Sequence, residues 1–207
     1  NGLASSGNNQ NLKPANTLAA DLGLYYKNEI YLGGRVFDMS LGGVISNLGG
    51  KVTYSSDDNK AFIPANLKIG TFFQTEIDAS NKIGFGFDIN KLLVPTPDTT
   101  DANRQNQSTL SGVFNSFGDA PGGFSEELSE YTLSIGAEYW YQNTFAVRAG
   151  FFNESKDKGN RKYFSIGAGL QYQDFGLDLA YLIPTQQNNP LGRTIRFTLA
   201  YTPGLDN

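Results

Sequence analysis

Three carboxylates crowd one short stretch of this chain: Glu126, Glu127 and Glu130, just after Pro121-Gly122-Gly123. Paired carboxylates can do acid–base chemistry, one giving a proton while the other takes it. That chemistry needs a nucleophile and base held together, and the sequence contains no His and no Cys. A His-based triad, disulfides and His or Cys metal ligation are therefore excluded within these 207 residues. The three acids read instead as the solvated start of a short helix, whose N-terminus favours negative charge. Asp57, Asp58 and Asn59 could offer oxygens to calcium, but they lack the ligand pattern of a dedicated site and read as a polar turn. The expectation is a non-enzymatic chain with no catalytic residue, cofactor or metal.

A second grouping suits binding better than catalysis. Leu110, Val113, Phe114 and Phe117 follow i, i+3, i+4, i+7 spacing, and Phe124 adds another large apolar group. All five fall in residues 92–129, a connection far longer than a hairpin needs. Its first half is polar; its second half carries this apolar surface. Three uses stay open: a partner-docking element, a plug folded into or over the opening of the domain, or a disordered segment.

The elements that must position this loop are strands. In residues 82–91, Ile83, Phe85, Phe87 and Ile89 alternate with Gly84, Gly86, Asp88 and Asn90. Residues 131–142 put Leu133, Ile135, Ala137 and Tyr139 on one face and Ser134, Gly136, Glu138 and Trp140 on the other. Phe164, Ile166, Ala168 and Leu170 alternate in the same way with Ser165, Gly167 and Gly169. A period of two belongs to a strand, because a helix would scatter each set around its circumference. Weaker alternations bring the count to roughly nine strands of about 9–12 residues, a length that suits a tilted bilayer span.

Charge and hydropathy narrow the class. The net charge of -4, with no basic run, leaves nucleic-acid binding without the cations it needs. Mean hydropathy is -0.35, and no apolar run is long enough for a transmembrane helix. A transmembrane β-barrel is compatible with that average, since its apolar outer face alternates with a polar interior. The expected connections are short at Lys27-Asn28-Glu29, 78–81, Gln142-Asn143 and Gln173-Asp174, and long at 47–64, 92–129, 153–160 and 184–192. Such alternation matches short periplasmic turns and long extracellular loops. A soluble sandwich or lipocalin-like barrel would instead leave the glycine-rich faces in solvent, where glycine only weakens a strand.

The inward phase carries mixed charges, Asp21, Asp88, Glu138 and Asp178 against Lys68, Arg148 and Arg196, as expected of internal ion pairing. Tyr25, Tyr26, Tyr139, Tyr141, Tyr172, Tyr181 and Tyr201 lie near strand ends, where outward members suit an aromatic girdle. Trp140 falls on the inward phase, and its role stays open. The expected architecture is all-β, an antiparallel transmembrane β-barrel forming a single domain over residues 1–207, with 92–129 as its long extracellular loop.

Several long words of the sequence carry a resemblance. DLGLYYKNEIYLGGRVFDMSLGGVISNLGGKVTY, FIPANLKIG and FGFDINKLLVPTP, then SFGDAPGGFSEELSEYTLSIGAEYWY and NPLGRTIRFTLAY, are similar to the PorV family of the type IX secretion system. That family belongs to the FadL-like outer-membrane barrels of Bacteroidetes. The resemblance implies fourteen strands, of which roughly nine are represented here, so that residues 1–207 are expected to be the C-terminal part of an outer-membrane β-barrel. It implies a protein-transport role in the cell outer membrane, with long loops extracellular and the C-terminus periplasmic. The implied partners are the SprA-type translocon barrel, the C-terminal domains of secreted substrates, the PorU-type attachment complex and outer-membrane lipid, with no nucleic acid. The alternative it leaves is FadL-like transport of hydrophobic small molecules. Ile195, Phe197, Leu199 and Tyr201 resemble the terminal signal read by the outer-membrane assembly machinery.

Overall fold

The computed structural model describes residues 16–53, 60–97, 106–185 and 194–203. The strands are β1 (Ala19–Leu32), β2 (Arg35–Gly49), β3 (Val52–Thr53), β4 (Lys60–Ala61), β5 (Asn66–Asp78), β6 (Asn81–Leu92), β7 (Tyr131–Tyr141), β8 (Phe145–Asn153), β9 (Lys162–Tyr172), β10 (Phe175–Pro184) and β11 (Ile195–Tyr201). Two short helices, α1 (Thr109–Asn115) and α2 (Phe124–Ser129), lie between β6 and β7. Nine strands form one antiparallel sheet in the order β1-β2-β5-β6-β7-β8-β9-β10-β11, while β3 and β4 pair apart in the β2–β5 connection. This meander confirms the strand count expected from alternation.

Turn chemistry fixes the short end. β1 and β2 are joined by Gly33 and Gly34, with φ of 59° and 82°, so two successive left-handed residues close the hairpin. The turn expected at Lys27-Asn28-Glu29 is therefore corrected. Those residues sit inside the ladder opposite Ser40, Met39 and Asp38, because the glycine pair reaches φ > 0 without steric cost. The turns at 79–80, 142–144 and 173–174 stand where the sequence placed them. All four short turns lie at one end of the meander, and the long connections lie at the other.

The two faces of the sheet differ in kind. Phe85, Phe87, Ile135 and Leu170 are 51%, 39%, 54% and 39% exposed, with Ile166, Phe164, Val147 and Leu179 exposed beside them. Burying such a side chain stabilises a soluble fold by roughly 1.5–3 kcal/mol, and here a whole face forgoes it. Lipid is the solvent that makes this arrangement stable.

The opposite face is polar and tied together. Lys68 pairs with Asp88 at 3.0 Å, and Arg148 donates from Nε to Glu138 at 3.0 Å and from Nη1 to Asp178. Glu138 also accepts from Trp140 Nε1 at 2.9 Å, and the Arg148 guanidinium lies 5.1 Å from the Trp140 ring. The expected internal ion pairing is thus present, and Trp140 belongs to it. To reach Asp178 on β10, Arg148 on β8 crosses β9 over Gly169, where a Cβ would lie 2.7 Å from Nη1 and 2.6 Å from Asp178 Oδ1. A cavity of about 680 Å³ lies mainly on this face, lined from five neighbouring strands by residues that include Tyr25, Ser40, Lys68, Gly70 and Gly86.

Candidate partner-docking surface

The described parts of the 92–129 connection, 92–97 and 106–129, fold back on the sheet, and register shows on which side. Ile45, Leu67, Lys91 and Tyr131 form one cross-strand row over β2, β5, β6 and β7. Ile69 and Ile89 stand two residues from Leu67 and Lys91, so side-chain alternation puts the row on the exposed apolar face. Over this row pack Val113 of α1, Leu93 and Ala65, with Ile45, Leu48 and Leu67 against them. The loop is therefore a ledge on the outer flank of the wall, at the end with the long connections.

Lys91 is the post of this ledge. It falls on the lipid-facing phase, where a bare ammonium would be costly, yet it is only 1% exposed. Its Nζ donates to Glu127 Oε1 and Glu130 Oε2, both at 2.7 Å, and lies 5.0 Å from the Tyr131 ring centre. Lys158, in the β8–β9 connection, donates to Glu126 at 2.7 Å and Glu130 at 3.0 Å. Thr96 gives its hydroxyl proton to Glu130 and its backbone N–H to Asp119. Arg161 makes a two-pronged bond to the buried Glu154 next to this group.

The three glutamates are thus not a solvated helix start. They are the acid half of a partly buried ionic clamp between helix α2, the sheet and the next connection. Burial pushes the Glu130 carboxyl up, but hydrogen bonds from Lys91, Thr96 and Lys158 outweigh it and hold the group below its ordinary value. Lys158, together with the Gly122 N–H, holds Glu126 below its ordinary value too. Burial alone would lower Lys158, but its bonds to Glu126 and Glu130 raise it above its usual range. Oxygens of Asp119, Glu127 and Glu130 lie within 4.8 Å of one another. Two of those carboxylates already face the Lys91 ammonium, so their charge is met from inside the chain.

The five residues marked in the sequence separate into two groups. Val113, 7% exposed, is core beneath α1 and is corrected from the exposed set. Leu110, Phe114 and Phe124 point away, with Phe114 and Phe124 at 74% and 78% exposure. Phe117 is also exposed, at 45%, with its ring centre 5.9 Å from Lys91 Nζ. Leu128, exposed on α2, joins the apolar surface and was missed by the sequence reading. Lys91 was missed as well, although the alternation Ile83, Phe85, Phe87, Ile89 pointed to it as the next outward residue. Asp57, Asp58 and Asn59 lie outside the described residues.

A meander with short turns at one end, an exposed apolar face and an ion-paired polar face defines the wall of an outer-membrane-type antiparallel β-barrel. Residues 2–99, just under half of the chain, match the family described as type IX secretion system protein PorV, and over that segment the chain is similar to that family. The matched segment runs through β6 and ends before α1 and α2. None of the curated proteins matches the chain. One solved structure, from work described as "Unveiling the Mechanism Behind the in-meso Crystallization of Membrane Proteins", is similar at 14% identity with a TM-score of 0.42, covering 91% of this chain and 69% of the other.

Proposed function

We propose that this chain is a non-enzymatic outer-membrane component that binds a translocon barrel of the type IX system. In that role it carries secreted substrates, through their C-terminal domains, to the cell-surface attachment complex. One observation supports the docking part above all. Leu110, Phe114, Phe124 and Leu128 are exposed on a loop that a buried lysine holds in place. Exposed apolar groups on an ordered support resemble an interface before its partner arrives, because little ordering entropy remains to be lost. The ledge lies on the flank of the wall, so the partner approaches from the side. The long connections then face outward from the cell, and the C-terminus lies on the periplasmic side.

The test is copurification of the translocon barrel with tagged protein from native membranes. Phe114→Ser combined with Phe124→Ser should reduce recovery about tenfold or more, as loss of anchor residues does, while barrel assembly stays intact. Undiminished recovery would remove the ledge from the interface. A FadL-like passage for apolar molecules is the second reading, favoured by the cavity that reaches Leu24, Phe72 and Ile135. It calls for a hydrophobic molecule retained by the protein and lost when Gly136 is enlarged to Leu.

A further inference from the structure

A second surface lies beside the ledge and shares only Leu128 with the proposed docking residues. Between α2 and the β8–β9 connection runs a groove of about 670 Å³. Its floor comprises Ile89, Leu133 and Tyr131 on the apolar face of the sheet, with Leu128 of α2 beside them. Lys156 and Lys162 line it from the β8–β9 side, with Asp157 between them in sequence.

The register places this groove at a boundary. Ile89, Leu133, Asn153 and Lys162 form one cross-strand row over β6, β7, β8 and β9. Two residues nearer the short-turn end runs the row Phe87, Ile135, Phe151 and Phe164, where the last two rings lie 4.8 Å apart. The apolar floor is thus continuous with the face that meets acyl chains, and the lysines stand where that face ends. Among the described residues, Lys91, Lys158 and Arg161 are all committed to carboxylates. No ion pair among the described residues includes Lys156 or Lys162. Asp157 cancels one of the two charges and leaves the groove net positive.

We propose that this groove seats a phosphate-bearing acyl lipid of the outer leaflet, its phosphate between Lys156 and Lys162 and its chains over Leu133, Phe151 and Phe164. Charge at one end and an unbroken apolar path beneath it match an anionic amphiphile, whereas an acidic peptide would leave the path uncovered. The proposal rests on the membrane orientation read above. Unlike the docking proposal, it asks nothing of Phe114 or Phe124.

The experiment uses the full chain, solubilised in detergent and examined by native mass spectrometry. Dioleoyl phosphatidylglycerol and dioleoyl phosphatidylcholine are added in separate and competing arms. The anionic lipid should be retained preferentially, and Lys156→Gln and Lys162→Gln should each reduce that preference about fivefold. Millimolar inorganic phosphate should not displace it, since phosphate alone lacks the apolar part. Equal retention of the two lipids, an unchanged preference in the double variant, or displacement by phosphate would each overturn the proposal. Flotation with phosphatidylcholine vesicles separates the two levels: failure to float sinks the membrane orientation, while flotation without anionic preference sinks only the groove.

Discussion

Lys91 and Glu130 are 39 residues apart in sequence, and their charged groups meet at 2.7 Å. That contact joins the lipid-facing side of β6 to the end of α2 and closes the longest connection in the chain onto the wall. Removing one partner from a buried ion pair costs far more than the pair is worth, because the survivor keeps its desolvation penalty.

Lys91→Met should therefore destabilise loop docking by about 3–5 kcal/mol. Proteolysis between residues 106 and 129 should speed up while the strands stay protected. Adding Glu127→Gln and Glu130→Gln should restore much of the resistance by removing the stranded charges. Equal cleavage of wild type and Lys91→Met would show that the clamp does not hold the loop.

The same clamp should open in acid. Glu130 and Glu126 have folded-state values below their unfolded ones, so the stability they add is full above the ordinary carboxylate range. It is lost as pH falls through the lowered values. Lys158 is raised, so its contribution holds below the ordinary lysine value and fades only as alkaline pH passes the raised one. Since the chain has no cysteine, a spin label on Gly118→Cys reports the loop alone. It should stay immobile from neutral pH through mild acid and become mobile below about pH 4. Mobilisation near pH 6 would contradict this assignment.

Gly169 should be intolerant of a side chain for a reason specific to Arg148. Gly169→Ala intrudes on the crossing to Asp178 and should cost about 1.5–3 kcal/mol, the range of a charge-assisted hydrogen bond. In an Arg148→Met background the same substitution should cost much less, which a double-mutant cycle on thermal unfolding in detergent would reveal. Additive losses would deny the coupling.

Phe85→Arg places a cation on the exposed apolar face and should cost about 2–4 kcal/mol if that face lies near the bilayer midplane. Asp88→Asn, on the polar face, should cost less. Denaturant titration of the protein refolded into vesicles measures both, and a reversed order would invert the sheet.

Much of this was legible in the sequence, because a period of two leaves few choices. Once Phe85, Phe87 and Ile89 share a face, the register of β6 follows, as do the glycines and the Arg148 network opposite. The turn at Gly33-Gly34 was missed because the polar run Lys27-Asn28-Glu29 imitates a connection, whereas Lys27 and Glu29 lie on the polar side of a long strand and Asn28 shares the row of Met39, Phe73 and Phe85. The clamp was harder to see. Glu127 and Glu130 look solvated locally, and their burial depends on Lys91, which no nearby pattern joins to them. Val113 and Phe114 are neighbours with opposite fates, set by which side of a seven-residue helix meets Leu93 and Ala65.

The margins of the sheet are unequal, 14 residues along β1 and 7 along β11. Stitched directly together, they would leave about half of the longer hem without partners for its amide and carbonyl groups, each several kcal/mol out of place in hydrocarbon.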